Sequence, residues 1–361
     1  MKSPRRRPRL LACAALAALL LAGGHRPAVA GAPDDGGALW AKASPALIRV
    51  ERQTAQGSEV STGFLIRDDG TFVSVISGVK AAGESGAATV TCRRGDAAFP
   101  ARILAIDPQT LLAVGRADGL AGTAPIPLGE SWAADAGAFA HAAIPSAGDG
   151  DPGRCTPGRI AGREHEFRSA PLPASVLRLH MAVPPGGGAF GAPILDRTGA
   201  AIGILLVSIK AEPAAGSGAG PQGGPDLAFA LPAEIAQKIL RDYEKLGAVR
   251  YPWLGFELDA GTTTPAIIAV KEGSPAAAAG LRTGDVIKSI AGRAVRSYQD
   301  VVDACYYLTP GDPAPIALLR GLEDAEASIT PAEQTVLARP KPIEGHNPDP
   351  APPPPNPNDV E

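Results

Sequence analysis

The stretch EGSPAAAAGLRTGDVIKSIAGRAVRSYQDVV, residues 272–302, decides how the carboxyl-terminal part of this chain folds. Gly273-Ser274-Pro275 begins a short alanine-rich helix, and Gly280 ends it. Gly284-Asp285 then turns the chain into a strand, because both residues favour tight turns. Ser297 is placed to cap a second helix that ends before a Pro-Gly pair. The stretch therefore predicts a helix, a strand and a second helix in this order.

Together with WLGFEL, residues 253–258, this stretch resembles a PDZ domain of the permuted kind attached to bacterial HtrA/Deg serine proteases. The resemblance implies that loop amides bind the terminal carboxylate of a peptide, which adds a strand beside residues 256–258. Gly255 lets the backbone approach the ligand closely. An alternative is that the apolar side chains of Val302 and Cys305 belong to the core of the domain, which would explain them as well as a peptide pocket does. The residues that the resemblance assigns to peptide binding are Leu254, Gly255, Phe256, Val302 and Cys305.

The region before this domain carries the pattern of an all-β fold. From residue 45 to about residue 207, short apolar runs such as LIRV, TFVSVI and AIGILLVSI are separated by Gly, Asp and Pro. Asp69-Gly70 lies between two of these runs as a tight-turn signal. Short strands at this spacing predict a barrel or a sandwich. An amphipathic helix at residues 231–247 closes the region.

This β region resembles the protease domain of the HtrA/Deg family. STGFLIRDDGTFVSVISGVKAAG, residues 61–83, is similar to the segment that carries the family's catalytic histidine. ARILAIDPQTLLAVGRAD, residues 101–118, is similar to the aspartate segment, and PPGGGAFGAPILDRTGAAIGI, residues 184–204, to the serine loop. The resemblance implies a mostly β fold, a chymotrypsin/trypsin-like double β-barrel followed by an α+β PDZ domain.

The catalytic side chains of that family are absent from the matching positions. Ser77 stands at the histidine position, or Gly78 if the match shifts by one residue, Leu111 at the aspartate position and Phe190 at the serine position. Gly188 remains in the loop that would bind an oxyanion. A phenyl ring cannot attack a carbonyl, a serine hydroxyl is too weak a base near neutral pH, and leucine cannot orient an imidazole. Losing a triad costs about a millionfold in turnover.

We therefore expect an exported, non-catalytic HtrA-like pseudoprotease. Its expected partners are unfolded proteins and peptides or protein C-termini with hydrophobic last residues, and its role is that of an adaptor, chaperone or regulator in envelope protein quality control. The alternative is an HtrA/Deg-type serine endopeptidase that acts through a non-standard site, for which Ser77 and Lys80 offer a Ser-x-x-Lys pattern. A third hypothesis makes the protein a subunit that tunes an active HtrA relative.

The first 30 residues have the basic start, apolar run and Ala-Val-Ala ending of a secretory signal peptide. We therefore expect a periplasmic or secreted protein. Cleavage removes six basic and no acidic residues, which lowers the net charge from −3 to −9 and argues against a nucleic-acid partner.

Four segments are expected in all. They are a signal peptide at residues 1–30, the protease-fold domain at 38–247, the PDZ domain at 248–340, and a proline-rich disordered tail at 341–361. No Cys or His pair has metal-ligand spacing, so neither a metal nor another cofactor is expected. Cys92 and Cys155 are either free thiols or a disulfide. The family commonly forms trimers through aromatic residues near the mature N-terminus, and Trp40 is the candidate here.

Overall fold

The computed structural model describes residues 36–54, 57–76, 90–145, 153–167, 170–183, 187–209, 226–259 and 261–334. These residues form two closed β-barrels followed by a small α+β domain, which confirms the predicted fold class. The predicted signal peptide, Ser77, Gly78, Lys80 and the tail at 341–361 lie outside the described residues. No helix in the described part of the chain is long and apolar enough to span a membrane.

The first barrel follows helix α1 (Gly36–Ala43) and a 3₁₀ turn at Ser44–Ala46. Its strands are β1 (Leu47–Thr54), β2 (Gly57–Leu65), β3 (Thr71–Val75), β4 (Val90–Arg94), β5 (Ala97–Ile106) and β6 (Leu112–Arg116). They close in the order β1-β2-β3-β6-β5-β4. Further 3₁₀ turns lie at Asp118–Leu120 and Ser131–Ala133.

Two local features explain why this part of the chain closes into a barrel. The predicted turn joins β2 to β3, with Gly70 at φ +85° and the Asp69 carboxylate accepting a hydrogen bond from the Thr71 amide at 2.9 Å. Inside the barrel, the buried Phe72 ring lies directly over Gly115, where a Cβ would meet the ring at 2.4 Å. The glycine on β6 therefore makes room for the aromatic core.

The second barrel is also built from six strands and closes in the order β10-β11-β12-β9-β8-β7. Leu177, Leu179 and Ile194 are fully buried in its core. Its strands are β7 (Phe139–Ile144), β8 (Arg154–Phe167), β9 (Ala170–Met181), β10 (Pro193–Leu195), β11 (Ala201–Ile209) and β12 (Leu227–Pro232), and a 3₁₀ turn at Gly187–Ala189 precedes β10.

Helix α2 (Ala233–Leu246) follows β12, within the range over which the sequence predicts a helix. Gly247, at φ 76°, terminates it and donates its amide to the Tyr243 carbonyl at 2.9 Å. Ile235 and Ile239 are fully buried on the apolar face. Lys238 and Asp242 are buried too, because the second domain covers the other side of the helix.

The α+β domain contains two helices and three small sheets. Strands β13 (Pro252–Trp253), β14 (Phe256–Leu258) and β15 (Ile267–Val270) come first, followed by α3 (Pro275–Ala278), β16 (Val286–Ile290), β17 (Arg293–Ala294), α4 (Tyr298–Tyr306), β18 (Ala314–Arg320), β19 (Glu323–Ile329) and β20 (Ala332–Glu333). The sheets pair β13 with β20, β14 with β15, and β17-β16-β18-β19. The predicted cap at Ser297 is present, since its side chain accepts from the Asp300 amide at 3.2 Å, and Ser274 caps α3 by accepting from the Ala277 amide at 3.2 Å.

A buried polar network joins the barrels to the α+β domain. The Lys238 ammonium donates to the Asp242 carboxylate at 2.5 Å and to the Arg250 and Leu308 carbonyls at 2.9 and 3.4 Å. Asp242 also accepts from the Thr309 hydroxyl at 2.7 Å. The buried ions are therefore paired and hydrogen-bonded, as buried charge requires.

Candidate functional site

Leu111 and Phe190, two of the three positions matched to catalytic residues, line one cavity of about 480 Å³ in the barrel domain. Both side chains are partly exposed in it, at 38% and 36%. Ile76 lines the same cavity and directly precedes Ser77, whose own placement lies outside the described residues. Val50, Val60, Val75, Leu206, Arg52, Glu59 and Ser61 complete the described lining.

The loop that presents Phe190 is held by the first barrel. The Phe190 carbonyl accepts from the Thr62 amide at 2.7 Å, and the Thr62 hydroxyl donates to the Gly188 carbonyl. Gly191 has φ +85°, and a Cβ there would lie 2.1 Å from the Thr62 carbonyl oxygen. Only glycine fits this close approach. The loop therefore keeps a constrained geometry although a phenyl ring occupies its apex.

Leu111 adopts a left-handed backbone conformation, with φ 61°. This region is unfavourable for a bulky side chain, so the surroundings must enforce it. The Leu111 amide donates to the Asp107 carbonyl at 2.8 Å, and the Leu111 carbonyl accepts from the Ile76 amide at 3.0 Å. Two backbone hydrogen bonds thus hold the leucine at the cavity wall.

The polar groups of the cavity are engaged with one another. The Ser61 and Ser74 hydroxyls lie 2.9 Å apart, and Ser74 also donates to the Thr62 carbonyl at 2.7 Å. Arg52 and Glu59 form an ion pair at 2.5 Å. The cavity hydroxyl is therefore paired with a second hydroxyl, and a general base does not contact it within the described lining.

A second cavity, of about 660 Å³, is lined mainly by the α+β domain. All five residues assigned to peptide binding line it: Leu254, Gly255, Phe256, Val302 and Cys305. One wall is β14 and the facing wall is α4. Among the described strands, β14 pairs only with β15, so its other edge faces the cavity and can accept an added strand. We call this cavity the peptide groove.

The loop at the end of the groove has the geometry that carboxylate binding needs. Gly255 has φ +81°, and a Cβ there would lie 2.2 Å from the Ser274 Cβ. The Leu254 and Gly255 carbonyls accept from the Ala276 and Lys271 amides at 2.9 and 2.8 Å. Among the described residues, no acceptor is bonded to the amides of Leu254 and Gly255 themselves.

Val301, Val302 and Cys305 of α4 all line the groove, and they differ in burial. Val301 lines the groove but is 2% exposed and belongs to the domain core, whereas Val302 is 38% exposed. Cys305 packs against the core and also lines the groove, and burial raises the pKa of its thiol to about 12. Its neutral thiol and the Val302 side chain make this wall of the groove apolar.

The described residues contain no cluster of three or more His, Cys, Asp or Glu side chains that could hold a metal ion. Cys92 and Cys155 are separate thiols. The Trp40 ring packs over Gly153, where a Cβ would lie 2.4 Å from the ring.

Comparison with known domains agrees with both halves of the structure. Residues 61–204 match the trypsin-like peptidase domain, and residues 252–330 match the PDZ domain. A DegP-like periplasmic serine endoprotease of Brucella suis is 27% identical over 299 residues, which are 78% of this chain and 53% of the relative. A DegP-like protein of Rhizobium meliloti is 27% identical over 285 residues, 74% of this chain and 51% of the relative.

The chain is similar to HtrA/Deg proteins in both of its domains. Solved structures share the fold: the HtrA-type protease AlgW with a tripeptide has a TM-score of 0.56 at 22% identity, covering 83% of this chain and 98% of AlgW. AlgW with a decapeptide has a TM-score of 0.53 at 19% identity, with the same coverage. The chain spans about half the length of the curated relatives it matches, 53% in the Brucella suis protein.

Several groove residues of this protein are not apparent from its sequence. Tyr251, Tyr298 and Tyr306 line the groove, and so does Gln109 from the barrel domain. Gln109 belongs to the turn at residues 107–111, which also carries Leu111 into the barrel cavity. One five-residue turn therefore reaches both cavities, and no local sequence pattern indicates that contact.

Proposed function

We propose that this HtrA/Deg protein binds the carboxyl termini of other polypeptides in its peptide groove and does not hydrolyse them. The observation that carries the proposal is the groove itself. It combines a strand edge on β14, two loop amides without an acceptor among the described residues, and an apolar wall at Val302 and Cys305. These are the three elements by which a strand-adding domain recognises a chain end.

The barrel cavity supports the second half of the proposal. Peptide hydrolysis by this fold needs a nucleophile, a base that takes its proton and a group that orients the base. Phe190 and Leu111 occupy two of those positions, and neither side chain has an ionisable or nucleophilic atom. The hydroxyl on the cavity wall, Ser61, is engaged with Ser74. Binding without turnover is the activity that these groups allow.

The chemistry of the groove also defines the ligand class. An apolar wall next to a carboxylate-binding loop favours peptides with a hydrophobic last residue, as unfolded or damaged proteins present them. The named relatives are periplasmic, and the first 30 residues have the pattern of a signal peptide. The proposed role is therefore an exported adaptor, chaperone or regulator in envelope protein quality control.

Fluorescence polarisation with a labelled decapeptide that ends in valine tests the groove. We expect saturable binding to the full-length protein, weakened at least tenfold, about 1.4 kcal/mol, when the peptide carboxyl is amidated. Val302→Lys should weaken binding similarly, because it places a charge on the apolar wall. Ile268→Lys is the matched control, since Ile268 is exposed at 51% but does not line the groove. No saturable binding, or equal losses in both variants, would refute the proposal.

A second candidate function is serine endopeptidase activity, because the relatives are named proteases. It predicts a residue that a fluorophosphonate phosphonylates with loss of fluoride, which increases the mass of the intact protein. Our proposal predicts an unchanged mass under conditions that label an active serine protease completely. Co-purification with an active HtrA relative from native extract would identify a subunit that tunes that relative.

A further inference from the structure

Gln109 extends the peptide groove across the boundary between the two domains. It is the one residue of the barrel domain in the described lining of the groove, which otherwise comes from residues 251–258, 298–306 and 334. Its neighbours there include Tyr251, which lies just before the carboxylate-binding loop, and Tyr306, the last residue of α4. Gln109 therefore lies at the end of the groove where a ligand's carboxyl terminus would be bound.

The turn that carries Gln109 is fixed by a buried carboxylate. Asp107 is fully buried, and its two oxygens accept from the Tyr251 and Tyr306 hydroxyls, one on each. The same carboxylate accepts from the Gln109 amide at 3.0 Å and from the Thr110 hydroxyl at 2.8 Å. Bonds from both sides of the domain boundary therefore hold the backbone of Gln109 against the groove, which lowers the entropic cost of using its side chain.

The groove offers few other donors for a carboxylate. Glu257 is the only ionised side chain in the described lining, and it is anionic. The Tyr251 and Tyr306 hydroxyls already donate to Asp107. The side-chain amides of Gln109 and Gln334, the Trp253 indole N–H and the Tyr298 hydroxyl remain as donors in the described lining. Tyr298 begins α4, at the opposite end of that helix from Tyr306, and Gln334 is an exposed residue at the end of the described chain. The Gln109 carboxamide has no hydrogen-bond partner among the described residues.

We propose that the Gln109 side chain donates a hydrogen bond to the terminal carboxylate of the bound peptide, beside the amides of Leu254 and Gly255. The carboxylate is then bound by both domains at once. This inference rests on the proposed function of the groove and adds a specificity-determining residue from the barrel domain. It also means that a bound peptide stabilises the contact between the domains, because the ligand bridges them.

Comparison of acid and amide forms of one peptide isolates this hydrogen bond. The peptide is the valine-terminated decapeptide with either a free or an amidated carboxyl group, measured on the full-length protein. Gln109→Ala should weaken binding of the free acid about tenfold, about 1.4 kcal/mol, and leave the amide within about twofold. Gln109→Glu should weaken the free acid further, because two carboxylates then face each other.

Two further glutamine variants serve as controls, and circular dichroism checks that each variant is folded. Gln334→Ala changes the other amide in the groove, and Gln237→Ala changes an amide on α2 that does not line it. Both should retain the wild-type ratio of acid to amide affinity. If the wild type prefers the acid and Gln109→Ala keeps that preference, this inference is wrong while the proposed function stands. If the wild type binds neither form, the proposed function itself fails.

Discussion

Replacing Tyr306 by phenylalanine removes one of two phenolic hydroxyls that hold the Asp107 carboxylate at the domain boundary. Asp107 is fully buried, and a hydrogen bond to a buried charged group contributes about 1.5–3 kcal/mol. The Thr110 hydroxyl still donates to the same carboxylate oxygen at 2.8 Å, which places the expected loss near the middle of that range. We expect the free energy of unfolding, measured by urea denaturation, to fall by about 2 kcal/mol.

The neighbouring Tyr307 provides a matched control. It is buried like Tyr306, but its hydroxyl has no hydrogen-bond partner among the described residues. Tyr307→Phe should therefore leave the free energy of unfolding within about 0.5 kcal/mol or raise it, because an unsatisfied buried hydroxyl is removed. Equal losses in the two variants, or a loss below about 0.5 kcal/mol for Tyr306→Phe, would refute the reasoning.

The Tyr251 and Tyr306 hydroxyls make the free energy of unfolding depend on pH in the alkaline range. Burial, reinforced by the adjacent Asp107, raises the pKa of Tyr251 and of Tyr306 above the ordinary value of 10.0. The hydroxyls stay protonated in the folded protein while the unfolded chain ionises above about pH 10, so their contribution is complete below that pH and declines above it. The stability difference between the wild type and Tyr251→Phe/Tyr306→Phe should therefore narrow above about pH 10. If the stability difference between the two proteins stays constant from pH 9 to pH 11, the pKa values of these two hydroxyls are not raised in the folded protein.

Three further predictions concern the groove and the domain boundary. Gly255→Ala should weaken peptide binding at least tenfold by fluorescence polarisation, because its Cβ would lie 2.2 Å from the Ser274 Cβ, and unchanged affinity would contradict the loop geometry. Asp242→Ala should lower the free energy of unfolding by about 3–5 kcal/mol, since it leaves the buried Lys238 ammonium without its ion pair; a urea midpoint equal to that of the wild type would exclude this. Cys305 should react slowly with iodoacetamide at neutral pH, because burial raises its thiol pKa to about 12, and bound peptide should slow the mass increase further.

The helix ends and turns of this protein follow from short-range sequence signals. The serine caps at Ser274 and Ser297 and the turn at Asp69-Gly70 each involve residues within a few positions of one another, so a local pattern predicts them. The Asp107 contacts are different, because the bonded tyrosines lie 144 and 199 residues further along the chain. Only the packing of the two domains brings these groups together.

In the two cavities, too, features that depend on short motifs could be predicted, whereas features that depend on contacts between distant residues could not. Five groove residues could be predicted because the glycine-containing loop and α4 are recognisable from short motifs. The difference in burial between Val301 and Val302 could not be predicted, since neighbouring helical positions differ only by the face that the fold covers. The left-handed backbone conformation of Leu111 could not be predicted from the sequence either, because backbone hydrogen bonds to residues 76 and 107 impose it.

The most direct test of the account is whether the purified mature protein hydrolyses unfolded casein. It should be measured beside a Ser77→His/Leu111→Asp/Phe190→Ser variant, which restores the three catalytic residue types at the matched positions. The account predicts that the wild type releases no peptides above the buffer control while it still binds the valine-terminated peptide. Peptide release by the wild type that survives repurification and is blocked by a fluorophosphonate would contradict it.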